Sequence, residues 1–145
     1  MTPQLLLAIL IALTLVAFVV DKVRQRRRRE AVRQLAIAWR LNFGPADSLQ
    51  LTARLVRHFP VPGVAALRVS NLIYGIDGDA YRFYFTAEYT VGVTAGKRRI
   101  TRVGTFLEPR DRRRGGETSL ILADEGLPII EQYHSVKEQS AGTPL

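Results

Sequence analysis

The chain has 145 residues, a net charge of +8 and no cysteine. Disulfides, thiolate metal sites and a cysteine nucleophile are therefore excluded together. Hydrophobic residues make up 47%, which is ordinary for a packed domain and too high for a disordered one. Divided along the chain, the charge stops pointing at nucleic acid. Residues 21 to 40 carry eight basic and two acidic side chains, whereas the 105 residues after them carry thirteen and eleven. The excess forms one collar, which suits a membrane surface better than a nucleic acid, and no nucleic-acid partner is expected.

Leu5 to Val20 reads LLLAILIALTLVAFVV, sixteen residues with one hydroxyl and no charge. At about 1.5 Å per residue this is about 24 Å of helix, enough to cross a hydrocarbon core of about 30 Å with some local thinning. A cleaved signal peptide would carry a positive segment before the apolar run and small residues at its exit. Met1–Gln4 has no charged side chain and the run leaves through Phe18-Val19-Val20-Asp21, so the reading favours a retained anchor over residues 1–21. The positive-inside rule then places the C-terminal side in the cytoplasm of a single-pass protein at the cell membrane. Two roles are open for Lys22, Arg24, Arg26, Arg27, Arg28 and Arg29: contact with anionic lipid headgroups, or a plain stop-transfer flank.

Residues 22–41 continue as a basic juxtamembrane helix, since Val32, Leu35, Ala36 and Trp39 recur at helical spacing. Trp39 is expected in a core rather than at a membrane interface. Gly44-Pro45 is expected to stop the helix, and Asp47 with Gln50 suggests the cap of a second helix from Ser48 to about His58. Residues 66 to 76 read as a strand, Asp77-Gly78 as a hairpin turn, and Tyr81 to Val93 as a strand alternating strictly. In that strand Phe83, Phe85, Ala87 and Tyr89 are expected to face a core, and Tyr84, Thr86, Glu88 and Thr90 to face water. Strands over Arg98–Glu108 and Thr118–Ala123 and a helix over Ile129–Glu138 come next, then a frayed tail at 140–145. The expected fold is α+β: an N-terminal transmembrane helix, two helices, a four-stranded antiparallel sheet and a C-terminal helix, with the domain spanning residues 42–139.

Catalytic equipment is sparse. His58 and His134 lie far apart and neither has a metal-ligand spacing. No Gly-x-Ser-x-Gly elbow, phosphate-binding glycine loop or HExxH pattern occurs, and Asp77-Gly78-Asp79 lacks the twelve-residue frame of a calcium loop. No cofactor, metal or catalytic residue is assigned. Arg112, Arg113 and Arg114 form the most suggestive soluble feature. They suit headgroup contact, in a patch that Lys97, Arg98, Arg99 and Arg102 could extend, or plain solvation beside Asp111 and Glu117. Tyr84 is the one wet-face aromatic that could stack on a base.

Several pieces carry a likeness: Ala38-x-x-Leu41-x-Phe43 followed by Asp47, Phe59-Pro60-x-x-Gly63, Arg68-Val69-x-Asn71-Leu72-Ile73-Tyr74-Gly75, and Phe85-x-x-x-Tyr89-Thr90. Over residues 35 to 109 the chain resembles uncharacterised bacterial membrane-anchored proteins of the DUF3137-like group. The resemblance implies one or two N-terminal spans and a small cytoplasmic domain, and it implies no activity. One departure is that Thr86 and Ala87 stand where that group often has Asp-Tyr. The expected role is a non-catalytic interaction or accessory domain with a protein partner of unknown identity. An anionic-lipid-responsive module and an enzyme with an unrecognised site are the alternatives.

Overall fold

The computed structural model describes residues 2–47, 49–61, 63–78, 80–92, 96–110 and 118–141. It separates into two compact units, one ending at Ala31 and one beginning at Val32. Helix α1 (Pro3–Ala38) forms the body of the first and opens the second. Its stretch through Val20 is apolar on every side, with Leu6, Leu10, Leu13, Val16 and Phe18 all exposed. This helix is long and apolar enough to cross a membrane.

The helix stops earlier than Gly44-Pro45. Arg40 adopts a left-handed φ of 58°, its N–H donates to the Ile37 carbonyl, and the Leu41 N–H donates to the Ala36 carbonyl. These are the two hydrogen bonds of a Schellman ending, with arginine where glycine is usual. The chain leaves this turn extended, so Asn42-Phe43-Gly44-Pro45-Ala46 becomes strand β1 (Asn42–Ala46). The expectation of four strands is thereby corrected to five. Pro45 is part of a strand and not a terminator, because a proline is tolerated on an edge strand and, among the described residues, β1 pairs only with β2.

Helix α2 (Leu51–His58) comes next. Gln50 precedes it at φ 54°, and the Asp47 carboxylate reaches past it to accept from the N–H groups of Leu51 (2.7 Å) and Thr52 (2.8 Å). The cap therefore comes from four residues upstream of the first helical turn, and the helix is shorter than its pattern suggested.

Strands β2 (Ala65–Asp77), β3 (Ala80–Val91), β4 (Arg98–Pro109) and β5 (Ser119–Leu122) complete an antiparallel meander in the order β1-β2-β3-β4-β5. Asp77 pairs with Ala80 across a two-residue turn in which Gly78 has φ 60°, the hairpin expected from Asp77-Gly78. Strand β2 departs from simple alternation twice. Between Ser70 and Ile73 it holds one residue more than β3, and Asn71 sits there at φ 50°. Asparagine tolerates this conformation better than most residues. The bulge lets Val69 and Leu72, three apart, pack in the same cluster, whereas Leu72 and its neighbour Ile73 pack in different ones.

Both faces of the sheet are covered, and this is the main departure from the expected half-wet sheet. One face packs Phe83, Phe85, Ala87, Tyr89 and Phe106 against Leu51 and Leu55 of α2. The other packs Ile73, Tyr84 and Val103 against Val32 and Ala36 of α1 and against Tyr133 and Val136 of α3 (Ile129–Ala141). Tyr84 and Thr86, expected in water, are 4% and 1% exposed. A strand buried on both faces can still alternate if its second face is closed by hydroxyl groups that find partners. Here Tyr133 donates to the Asn71 carbonyl (2.7 Å) and its oxygen lies 2.7 Å from the Thr86 hydroxyl. Gln132 takes the Val103 N–H, just beyond the last β4–β5 pair, and donates to the Leu127 carbonyl. Trp39 packs on this face, 5.3 Å from Tyr84, as its helical spacing predicted. Helix α3 runs on through Ser140, whose hydroxyl lies 3.0 Å from that of Tyr84, so position 140 belongs to the helix and not to a tail.

Candidate functional site

The residues expected to meet lipid headgroups divide into two sets. Lys22, Arg24, Arg26, Arg27, Arg28 and Arg29 succeed one another along α1 and are all exposed. The Lys22 ammonium lies 5.1 Å from the centre of the Phe18 ring, folded back over the apolar stretch. Arg112, Arg113 and Arg114 lie outside the described residues. Their proposed extension is largely committed within the fold. Arg98 pairs with Glu125 at 3.1 Å, Arg99 with Glu88 at 2.6 Å, and Arg102 donates to the Ala123 carbonyl at 2.8 Å. These cations tie strands and loops together rather than presenting a continuous free patch.

The aromatic that could have stacked on a base is not available for it. Tyr84 lies under Trp39, and Trp39 is in turn flanked by His134 at 6.0 Å and by the Lys137 ammonium at 4.2 Å from its ring centre. Partial burial lowers the Lys137 pKa, because desolvation disfavours the charged ammonium. His58, at the end of α2, lies 5.9 Å from Phe106. The two histidines thus serve different surroundings. Among the described residues no group of three His, Cys, Asp or Glu side chains could hold a metal ion.

One concave feature was not anticipated. A cleft of about 560 Å³ opens where the Leu41 turn, the start of α2 and the β2–β3 hairpin meet. Its walls are mostly apolar, with Leu41, Tyr74, Ile76, Tyr81 and Phe83 among them, and Arg40, Arg54, Asn42 and Glu108 supply the polar groups. Gly75 shapes it. A Cβ on that residue would clash with Leu41 Cδ2, so glycine allows the leucine side chain to lie across the strand. This is a packing role, and the bulge of the same strand sits further back, at Asn71.

Arg54 organises the polar side of the cleft. One guanidinium nitrogen donates to Glu108 at 2.7 Å and another to the Leu49 carbonyl at 3.0 Å, while the group sits 5.6 Å from the centre of the Phe83 ring. A single arginine therefore joins α2, the loop before it and two strands. Glu108 is half-buried and neutralised by this pair. Nearby, Asp47 is partly buried, which raises its pKa, but hydrogen bonds from Thr52 and Leu51 and the charge of Arg54 outweigh that and hold it below the usual carboxylate value.

The sequence contained a signal for this cleft. Ile76 and Tyr81 are direct cross-strand partners flanking the hairpin turn, where polar side chains are the usual choice, and both remain exposed. The convergence of Arg40 and Arg54 on them depends on the helix ending at Ala38, which spacing did not reveal.

Comparison with protein-family models, with curated proteins and with solved structures finds no match to this chain.

Proposed function

We propose that the protein is a single-pass membrane protein whose C-terminal domain works at the cytoplasmic face as a non-catalytic interaction or accessory module. The observation that carries this reading is the apolar stretch of α1, exposed on all sides through Val20 and followed directly by Lys22 and Arg24 to Arg29. A helix apolar all round with none of that stretch buried needs another apolar surrounding, and lipid supplies it. The cations at its C-terminal end favour the cytoplasmic side for the domain beyond them. The arrangement is also the one implied by the resemblance to the DUF3137-like group.

The domain's own chemistry favours binding over turnover. The cleft lining contains no Ser, Thr, Cys, His or Lys among the described residues, so it offers arginines, aromatics and one paired carboxylate rather than a nucleophile with its base.

Two measurements test the reading. Membranes from expressing cells, washed at alkaline pH, should retain the full chain, and release into the supernatant would refute an integral anchor. A periplasm-dependent phosphatase fused after Leu145 should be inactive, and a green fluorescent reporter at the same place bright. The opposite pattern would reverse the orientation.

A second reading, an anionic-lipid-responsive module, is favoured by the exposure of all six collar cations. At about 1 kcal/mol per basic residue near an anionic surface the term is large enough to matter. The full chain in phosphatidylglycerol nanodiscs should then show salt-sensitive changes at residues 22–29 that phosphatidylcholine nanodiscs do not produce.

A further inference from the structure

We propose that the cleft between the Leu41 turn, α2 and the β2–β3 hairpin binds a single-chain amphiphile of fatty-acid type, with its chain on Leu41, Ile76 and Tyr81 and its carboxylate on Arg40. Its volume of about 560 Å³ falls within the range of small-molecule sites, about 300–1,000 Å³. That sets the size of the ligand, and three further observations set its character.

The first is where the exposed apolar surface lies. From Val32 onward the large hydrophobic side chains left exposed among the described residues are Ile37, Leu49, Val56, Ile76, Tyr81 and Leu127. Three of these six, Leu49, Ile76 and Tyr81, line this one cleft, at 38%, 61% and 41% exposure. Scattered singly they would need no explanation; gathered on the walls of a concavity they form an apolar surface for a ligand to cover.

The second is charge. Arg40 and Arg54 line the cleft, and the Arg110 guanidinium stacks 5.8 Å from the centre of the Tyr81 ring that forms one wall. Against three guanidinium groups stand two carboxylates, Glu108, bound by Arg54 at 2.7 Å, and Asp47, which also feels the charge of Arg54. The surplus is positive, so the complementary ligand is an anion. Arginine's planar fork also matches a carboxylate better than a point cation does.

The third is the backbone of Arg40. It holds a left-handed φ of 58° at the helix end, a place where glycine is cheaper because it has no Cβ to crowd the next carbonyl. Arg40 makes no side-chain ion pair among the described residues. The residue is exposed and lines the apolar cleft, which leaves its charge available to an incoming headgroup. Together the apolar walls and this cation define an amphiphile, not a free anion or a neutral lipid.

The cleft does not depend on membrane anchoring, because every lining residue lies from Val32 onward. Full-length protein with 13C-labelled Ile and Leu methyl groups, in phosphatidylcholine nanodiscs, is titrated with octanoate. Saturable shifts of the Ile76, Leu41 and Leu49 methyl resonances are expected, with affinity about tenfold weaker in Arg40→Gln through loss of a charge-assisted contact. Ile76→Ser, a change at an exposed position, should also weaken binding and leave the remaining methyl spectrum folded. Acetate and octyltrimethylammonium should give no saturable shift at these methyls, since one lacks the chain and the other has the wrong charge. The proposal is overturned if octyltrimethylammonium acts like octanoate, if Arg40→Gln binds as tightly as the parent chain, or if shifts are confined to residues 5–20, which would mean partition into the bilayer only. It is equally overturned if phosphatidylglycerol nanodiscs alone saturate the three methyls, which would make the occupant a two-chain lipid. Failure to incorporate into nanodiscs would count against the anchor and not against the cleft, whose test then proceeds on the same chain in water.

Discussion

Tyr133→Phe removes one oxygen from a fully buried position and leaves the ring in place. That oxygen donates to the Asn71 carbonyl at 2.7 Å and sits 2.7 Å from the Thr86 hydroxyl, which is 1% exposed. Because the tyrosine proton is used on Asn71, Thr86 must donate to it, and the variant leaves a carbonyl and a hydroxyl without this partner in a site closed to water. Each orphaned group costs about 1–3 kcal/mol, so the expected loss is about 2–4 kcal/mol, well above that of an exposed hydrogen bond. The chain supplies its own probe, since Trp39 is the sole tryptophan and packs 5.3 Å from Tyr84 on the same face. Urea unfolding of the full chain in nanodiscs, followed by its fluorescence, should show the midpoint shift with an unchanged slope. Thr86→Val in the Tyr133→Phe background should recover part of the loss, because it removes one orphan. The double-mutant cycle should therefore give a coupling of about 1 kcal/mol or more. A loss below about 1 kcal/mol, or strictly additive variants, would refute the idea that this network closes the second face of the sheet.

Three other outcomes rest on the same geometry. Gly104 pairs with Phe85, and a Cβ there would lie 2.7 Å from Phe85 Cζ and 2.9 Å from Leu122 Cδ2. Gly104→Ala should thus cost about 1–3 kcal/mol in the same urea assay, as overpacking does elsewhere. Asp47→Ala removes the carboxylate that caps α2 and should cost about 1 kcal/mol. In the parent chain the Asp47 pKa is lower folded than unfolded. Its contribution is therefore present above the unfolded value and lost as pH falls through the folded one, so the variant should lack this part of the acid sensitivity. Arg40→Gly relieves the left-handed arginine and should raise stability by about 0.5–1 kcal/mol in urea. If the cleft binds as inferred, the same change should weaken octanoate binding.

Much of the sheet was legible because β3 keeps strict alternation from Phe83 to Tyr89 and because Asp77-Gly78 marks its turn. The fifth strand was not. Asn42-Phe43-Gly44-Pro45 has the composition of a stop signal, and only the arginine turn at residue 40, which no spacing rule assigns to arginine, releases those residues into a strand. Strand β2 was readable in extent but not in facing, since the bulge at Asn71 shifts the parity of everything after it. The burial of Tyr84 and Thr86 was hidden for a different reason. A face made of hydroxyls looks wet in a sequence, and it becomes a core only when Tyr133 and Ser140, some fifty residues away, supply the matching groups. The cleft shows the same limit: Ile76 and Tyr81 were visible as apolar residues beside a turn, whereas Arg40 and Arg54 reach them only through the fold.

The meander also sets an order of assembly. From β2 onward every strand pairs with the one before it, so pairing joins strands that are neighbours in the chain and proceeds in the direction of synthesis. The α2 face has nearly all of its parts once β4 has formed. The opposite face does not, because Ile129–Ala141 supplies Tyr133 and Val136 and comes last. Until that helix emerges, Tyr84, Thr86 and Val103 lie on a side of the sheet that only Val32 and Ala36 of α1 have begun to cover. A ribosome stalled before residue 129 would hold a nascent chain that is half closed, and its open side is where a chaperone or a neighbouring chain would find it.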